Sequence, residues 1–241
     1  YKFKWHDLMG KLYLFLFCAV FFASCSKKYK IEGNTSLSRL DGKMLYIKVP
    51  SNGEWVKIDS AEVVHGLFEM EGNVDSVVLA SLYMDDDCIM PLVIEKGNIN
   101  VKIDNAGVTV KGSPLNNRFN DFIIQKNALD DRAYEVEHME SQMIMNGDDP
   151  ALIHSEIEKR RAELSEEMNK LAKEFIQENY ENVLGAGVFV MIGNGLPYPI
   201  LTPVMEEIVN EAPESFKNNE LIKEYLSVAR SNMDKLRSAR Y

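Results

Sequence analysis

Hydrophobic positions follow three successive rhythms along the chain. Between Leu12 and Ala23 they form a nearly unbroken run that includes Leu14, Phe15, Leu16, Phe17, Val20, Phe21 and Phe22. From Tyr29 to about residue 112 they alternate with polar residues in short stretches. In Val101-Lys102-Ile103-Asp104 one side of an extended segment is apolar and the other wet, the pattern of a half-buried strand. From Pro114 onward they recur every three or four residues, the helical period.

The middle rhythm predicts about eight strands. They are Tyr29–Gly33, Met44–Val49, Trp55–Val63, Leu67–Glu71, Ser76–Tyr83, Ile89–Glu95, Asn98–Asp104 and Val108–Lys111. Asp41-Gly42, Pro50-Ser51-Asn52-Gly53 and His65-Gly66 supply turns between them. Gly33, Gly66, Gly72, Gly97 and Gly112 read as turn glycines at positive φ. Short strands at this spacing predict an antiparallel β-sandwich or barrel.

The third rhythm predicts helices. Leu115, Phe119, Phe122, Ile123, Leu129, Val136, Met139 and Met143 lie on one stripe, which Asn146-Gly147 ends. Asp149 suits an N-cap, with Pro150 in the first helical position. A second stripe follows through Ile153, Ile157, Leu164, Met168, Leu171 and Phe175. Two long helices joined so tightly predict an antiparallel hairpin. Residues 183–192 predict a short buried helix, and two more helices are expected over about 202–211 and 218–237. The fold class is therefore α+β: an N-terminal antiparallel β-sandwich or barrel, then an all-helical region with a long helical hairpin.

The first rhythm changes the picture most. Twelve helical residues span roughly 18 Å, short of the roughly 30 Å hydrocarbon core of a bilayer. Lys2, Lys4, His6 and Lys11 precede the run, and Ala23-Ser24-Cys25 closes it, followed by Ser26-Lys27-Lys28. This is the arrangement of a cleaved signal peptide, and the cysteine after two small residues resembles a bacterial lipobox. The expected organisation is a signal peptide over residues 1–24, a lipidated Cys25 with a short tether over 25–28, a β-domain over 29–113 and a helical domain over 114–241. Met9-Gly10-Lys11 would open a compact signal by itself, so residues 1–8 are expected to be an upstream extension.

Charge and cysteines narrow the function classes. The formal net charge is −10; residues 1–25 hold three basic residues and one acidic, so their removal deepens it to −12. Such a surface repels phosphate backbones, and nucleic acid is not an expected partner. Of Cys18, Cys25 and Cys88, the first leaves with the signal and the second is capped by lipid. Cys88 is then without a partner for a disulfide.

Several short runs carry a family resemblance: Tyr29-Lys30-Ile31-Glu32-Gly33, Asp59-Ser60-Ala61-Glu62-Val63, His65-Gly66-Leu67-Phe68-Glu69-Met70-Glu71-Gly72, Ile94-Glu95-Lys96-Gly97-Asn98-Ile99 and Val110-Lys111-Gly112-Ser113-Pro114-Leu115-Asn116. In order and spacing they resemble a β-rich domain of unknown function found at the N-terminus of Gram-negative envelope lipoproteins, often before a thioredoxin-like domain. The resemblance covers about residues 29–180. It implies an envelope location and an outer-membrane lipid anchor, with a protein partner expected there. In that lineage an acidic run just after the lipid cysteine accompanies surface export; Ser26-Lys27-Lys28 lacks one, so the body is expected to face the periplasm. No cysteine pair follows the helical segment before Tyr241, so the redox activity of the two-domain relatives is not carried over.

Candidate chemistry is sparse. His65 reads as a turn residue. Asp85-Asp86-Asp87 reads as a solvated loop, because Cys88-Ile89-Met90-Pro91 lacks the glycine and distal glutamate of a calcium loop. Glu135 and His138 form one Glu-x-x-His, where a di-iron site needs two. His154 and Glu158 stand one helical turn apart. Gly185-Ala186-Gly187 reads as close helix packing rather than a dinucleotide loop, since Val190 stands where a third glycine belongs. Met139, Met143, Met145 and Met168 read as core filler. No catalytic residue, metal site or cofactor is expected, and Cys25 is the one site residue, through lipidation. The function expected is a non-enzymatic binding or scaffolding module. Two alternatives stay open: an accessory subunit for a separate thioredoxin-like protein, and a metal-dependent enzyme built on Glu135, His138, His154 and Glu158.

Overall fold

The computed structural model describes residues 28–51 and 54–238. The expected signal peptide, Cys18, Cys25 and most of the expected tether lie outside the described residues. Eight strands come first: β1 (Lys28–Thr35), β2 (Met44–Ser51), β3 (Glu54–Glu62), β4 (Leu67–Asn73), β5 (Val78–Met84), β6 (Asp87–Ile94), β7 (Gly97–Asp104) and β8 (Gly107–Lys111). They form two four-stranded sheets, one in the order β4-β1-β7-β8 and the other in the order β3-β2-β5-β6.

Each chain-adjacent pair within a sheet is antiparallel, as the turn residues predict. One pair departs from the expected pattern: β1 runs parallel to β7, with Ile31 opposite Ile99. A parallel neighbour needs a long connection, and the five strands between β1 and β7 provide it. The faces that meet are apolar. Ile31, Phe68, Ile99 and Val101 from the first sheet share a core with Leu45, Ile47, Leu82 and Leu92 from the second.

Gly33 and Gly72 are not turn residues. They lie inside β1 and β4, where a side chain on Gly33 would overlap the Phe68 ring and one on Gly72 would meet Tyr29. Each glycine stands opposite that aromatic residue in the β1–β4 register. The bare backbone leaves room for the ring to lie across it. Gly66, Gly97 and Gly112 do take the positive φ that the sequence predicts.

The helices are α1 (Pro114–Asn146), α2 (Pro150–Glu178), α3 (Val183–Asn194), α4 (Pro203–Glu211), α5 (Glu214–Lys217) and α6 (Glu220–Ser238). The sequence pattern missed the one-turn α5, which carries a single buried side chain, Phe216. Helix α1 ends at Gly147 in the left-handed conformation, and α2 begins with the Asp149 carboxylate accepting from the Ala151 and Leu152 amides. These caps satisfy helix ends and fix the hairpin turn. The two helices are roughly 50 Å and 43 Å long at 1.5 Å per residue.

The helices have two cores. One gathers Phe119, Phe122, Phe175, Phe189, Phe216 and Tyr225, and it includes Val93 of β6. The other, formed by Val136, Ile153, Ile157 and Leu164, holds the outer half of the hairpin together. Leu79 of β5 also packs on the larger core, so the helical body sits on the outer face of the second sheet. A side chain on Gly187 of α3 would meet Leu79, and one on Gly185 would meet the Asn179 carbonyl. Close packing is therefore the role of both glycines.

The attachment is also polar. Asn116 of α1 accepts from the Val93 amide at 2.8 Å and donates to the Val93 carbonyl at 2.7 Å. It completes β6 as a neighbouring strand would. Glu95 accepts from the Leu115 and Asn116 amides at 2.8 and 3.1 Å. The N-terminus of α1 is thus capped from the β-sandwich, since Ser113 makes no side-chain cap.

Candidate interaction surface

The opposite edge of the same sheet is β3. Alternation along β2 sends Leu45 and Ile47 into the core and turns Tyr46 and Lys48 outward. Across the ladder, Trp55 stands opposite Pro50 and Lys57 opposite Lys48. The register then shifts, leaving Ile58 without a partner as a β-bulge. From Glu54 to Ile58 every residue is exposed, on both faces of the strand. Trp55, Val56 and Ile58 are 53, 44 and 43% exposed. Alternation predicts half of them buried; it fails because no neighbouring layer closes over this end of the edge strand.

Aromatic rings and lysines share the outward face. The Lys48 ammonium lies 4.2 Å from the centre of the Tyr83 ring, and that of Lys57 lies 5.3 Å from Tyr46. The Trp55 and Tyr83 rings are 6.0 Å apart and tilted by 57°. Among the described residues neither lysine has a carboxylate at ion-pair distance. Two like charges directly across a ladder repel, and ring faces offset part of that cost. Burial, and then the neighbouring Cys88, push the Tyr83 hydroxyl up from its usual pKa.

At its base this strand is clamped. The Tyr29 hydroxyl, on the second residue of β1, donates to Asp59 Oδ2 at 2.7 Å. Burial, then the bond to Asp59, raise the Tyr29 pKa well above the ordinary tyrosine range. The chain therefore enters the sandwich beside β3.

Between the hairpin end and the helices lies an open cleft of about 740 Å³. Pro50, Trp55, Val78, Val190 and Val228 line it, with Glu54, Glu220 and Glu224 among its polar groups. Its back wall is the segment after α3, held by Tyr225 Oη donating to the Ile200 carbonyl at 2.8 Å and Asn232 Nδ2 donating to the Pro199 carbonyl at 2.9 Å. The lining side chains are apolar, amide, hydroxyl or carboxylate. Such a set supports binding through shape and charge.

The structure scatters the other candidate residues. Cys88 is exposed on β6, opposite Tyr83. Asp85 and Asp86 form a tight turn with Asp85 at φ +54° and ion-paired to Lys43 at 3.5 Å, while Asp87 opens β6. His65 occupies its turn at φ +51°. Glu135, His138, His154 and Glu158 are exposed, and Glu158 lies 3.5 Å from Arg161. Among the described residues no three His, Cys, Asp or Glu side chains gather where they could hold a metal ion.

Met139 and Met143 pack on the outer hairpin core as filler. Met145 does not. It is 76% exposed at the hairpin tip, beside exposed Ile144 and Leu152, because two residues past Met143 the helical period places it on the opposite face. Sequence reasoning also missed the surface on β3. Its one local signal was Trp55-Val56-Lys57-Ile58, where three apolar residues in four break the alternation.

Strand order, helical body and the clamp together define the class: an α+β protein in which a two-sheet β-sandwich carries helices on one face. Residues 29–119 match the family model of a domain of unknown function, DUF4369. The matched segment holds all eight strands after Lys28 and the first turns of α1, so Glu95 and Asn116 both fall inside it. No curated protein and no solved structure matches the chain.

Proposed function

We propose that this chain is a bacterial envelope lipoprotein, held on the outer membrane by a lipidated Cys25 and facing the periplasm, that acts as a non-enzymatic binding or scaffolding module. The observation that carries the reading is the run Phe21-Phe22-Ala23-Ser24-Cys25, three residues before β1 starts at Lys28. Each buried methylene contributes about 0.8 kcal/mol, so two or three acyl chains anchor firmly where one binds marginally. No described helix is long and apolar enough to cross a membrane. The binding part is supported by the open cleft and by the exposed apolar tip of the α1–α2 hairpin. The tip residues Ile144, Met145 and Leu152 stand on helices braced by Arg132–Glu167 and Arg161–Glu140 pairs, each at 2.6 Å.

Expression in a Gram-negative host tests the anchor. Mass spectrometry of the N-terminal peptide is expected to find acylated Cys25, and Cys25→Ser to release the protein from the membrane fraction. An unmodified peptide that still begins upstream of Cys25 overturns the reading. Protease digestion of intact cells tests the facing: cleavage without permeabilisation contradicts a periplasmic body. Turnover by the purified protein that a point substitution abolishes overturns the non-enzymatic part.

A further inference from the structure

We propose that the open end of the β2–β3 hairpin is a membrane-docking surface, in which Trp55, Val56 and Ile58 lie in the headgroup layer of an anionic bilayer and Lys48 and Lys57 meet its phosphates. This rests on the anchoring reading and adds a second contact to it.

Four observations converge on this occupant. First, β3 exposes three apolar side chains, Trp55, Val56 and Ile58, from both of its faces, with Trp55 at the mouth of the open cleft. A partner that covers one face of a sheet would satisfy part of that surface, whereas a fluid lipid layer reaches side chains on both. Tryptophan suits that layer, since its ring is apolar and its N–H wet.

Second, the position follows from the chain path. The tether of residues 25–28 reaches at most about 14 Å. Tyr29 then touches Asp59, on the same strand as Trp55. An acylated Cys25 therefore holds β3 within a few residues' length of the bilayer.

Third, the charges are complementary. Lys48 and Lys57 face each other across the ladder without an ion-pair partner among the described residues, on a chain whose net charge is −10. Asp59 of that strand is engaged by Tyr29 and by the Ser60 amide, and the carboxylates nearest Trp55, those of Glu54, Glu220 and Glu224, line the cleft, so the positive charge of the hairpin is that of Lys48 and Lys57. Anionic headgroups relieve the repulsion between the two ammonium groups and attract each of them.

Fourth, the geometry opposes the other natural occupant of a bare edge, a strand from a second copy. The bulge at Ile58 twists the ladder, and an edge lysine blunts pairing.

The experiment uses the processed, lipidated full chain. The sequence has two tryptophans, Trp5 and Trp55, and processing before Cys25 removes the first. Intrinsic fluorescence then reports on Trp55 alone. The protein is reconstituted into vesicles of phosphatidylethanolamine and phosphatidylglycerol, with or without brominated acyl chains, and floated on a density gradient. The expected result is co-flotation with roughly twofold quenching of Trp55 by the brominated lipid. Lys48→Glu with Lys57→Glu is expected to reduce the quenching while co-flotation persists through the lipid. Co-flotation with unquenched Trp55 overturns the docking surface and leaves the anchor standing. Absence of co-flotation overturns the anchor itself. An unquenched protein that is dimeric in detergent and becomes monomeric on Trp55→Ser assigns the strand to a second copy instead.

Discussion

The two edges of the β3-β2-β5-β6 sheet are treated in opposite ways. At β6 the edge is closed from within: Asn116 bonds both backbone groups of Val93, and Glu95 caps the helix that carries Asn116. Val93 itself lies in the helical core. At β3 the edge is open, guarded by a bulge and a lysine, and its apolar side chains face outward. An unpaired strand edge is a liability that folded proteins cover or blunt. Here one sheet does both, covering the edge where helices must be seated and blunting the edge where a surface is presented.

Breaking the closed edge should cost most. Asn116→Ala leaves the buried Val93 amide and carbonyl without partners, and a loss of about 3 kcal/mol is expected from urea unfolding. A change below the cost of an ordinary surface substitution would show that water replaces the amide and that the edge is not closed.

The clamp on the open edge comes next. Tyr29→Phe removes the hydrogen bond to Asp59 and should cost about 1.5 kcal/mol at neutral pH. Its pH dependence has a definite sign. The folded protein holds the Tyr29 proton more tightly than the unfolded chain, whose hydroxyl titrates near 10.0. The stabilisation is therefore complete below that pH and is lost as pH rises toward the folded value. The gap between wild type and Tyr29→Phe should narrow above that pH, as other tyrosines titrate alike in both proteins. A gap that widens on alkalisation contradicts the buried, bonded hydroxyl.

A smaller effect is expected where α3 lies on the covered half of the sheet face. Gly187→Ala pushes against the end of the Leu79 side chain, which can shift, so thermal unfolding should show a loss of about 1 kcal/mol. On the bare half, Trp55→Ala should change stability by less than about 1 kcal/mol, because half of that side chain is already outside the fold. Equal losses at the two sites would erase the distinction between covered and open surface.

Much of the fold was legible from local patterns. The strand runs, the Asp149 cap, the Gly147 stop and the apolar stripes of α1 and α2 are read within a few residues of one another. Their physics (alternation, capping and helical period) is local too. The missed features join residues distant in the chain. Gly33 and Gly72 look like turn glycines until Phe68 and Tyr29 are seen across the ladder. Glu95 looks like a strand-end carboxylate until α1 is seen starting on it. The surface on β3 was the least legible, since Trp55, Val56 and Ile58 are residues that most strands bury.

By itself the sequence determined the rhythm of eight strands and a helical hairpin, and the candidate lipid anchor at Cys25, because each depends on near neighbours along the chain. Only the tertiary structure decided which strands became edges, and which edge Asn116 closes. It also decided that the open edge stands beside the first residues of β1. Burial is a property of what faces a residue, and here what faces it comes from elsewhere in the chain.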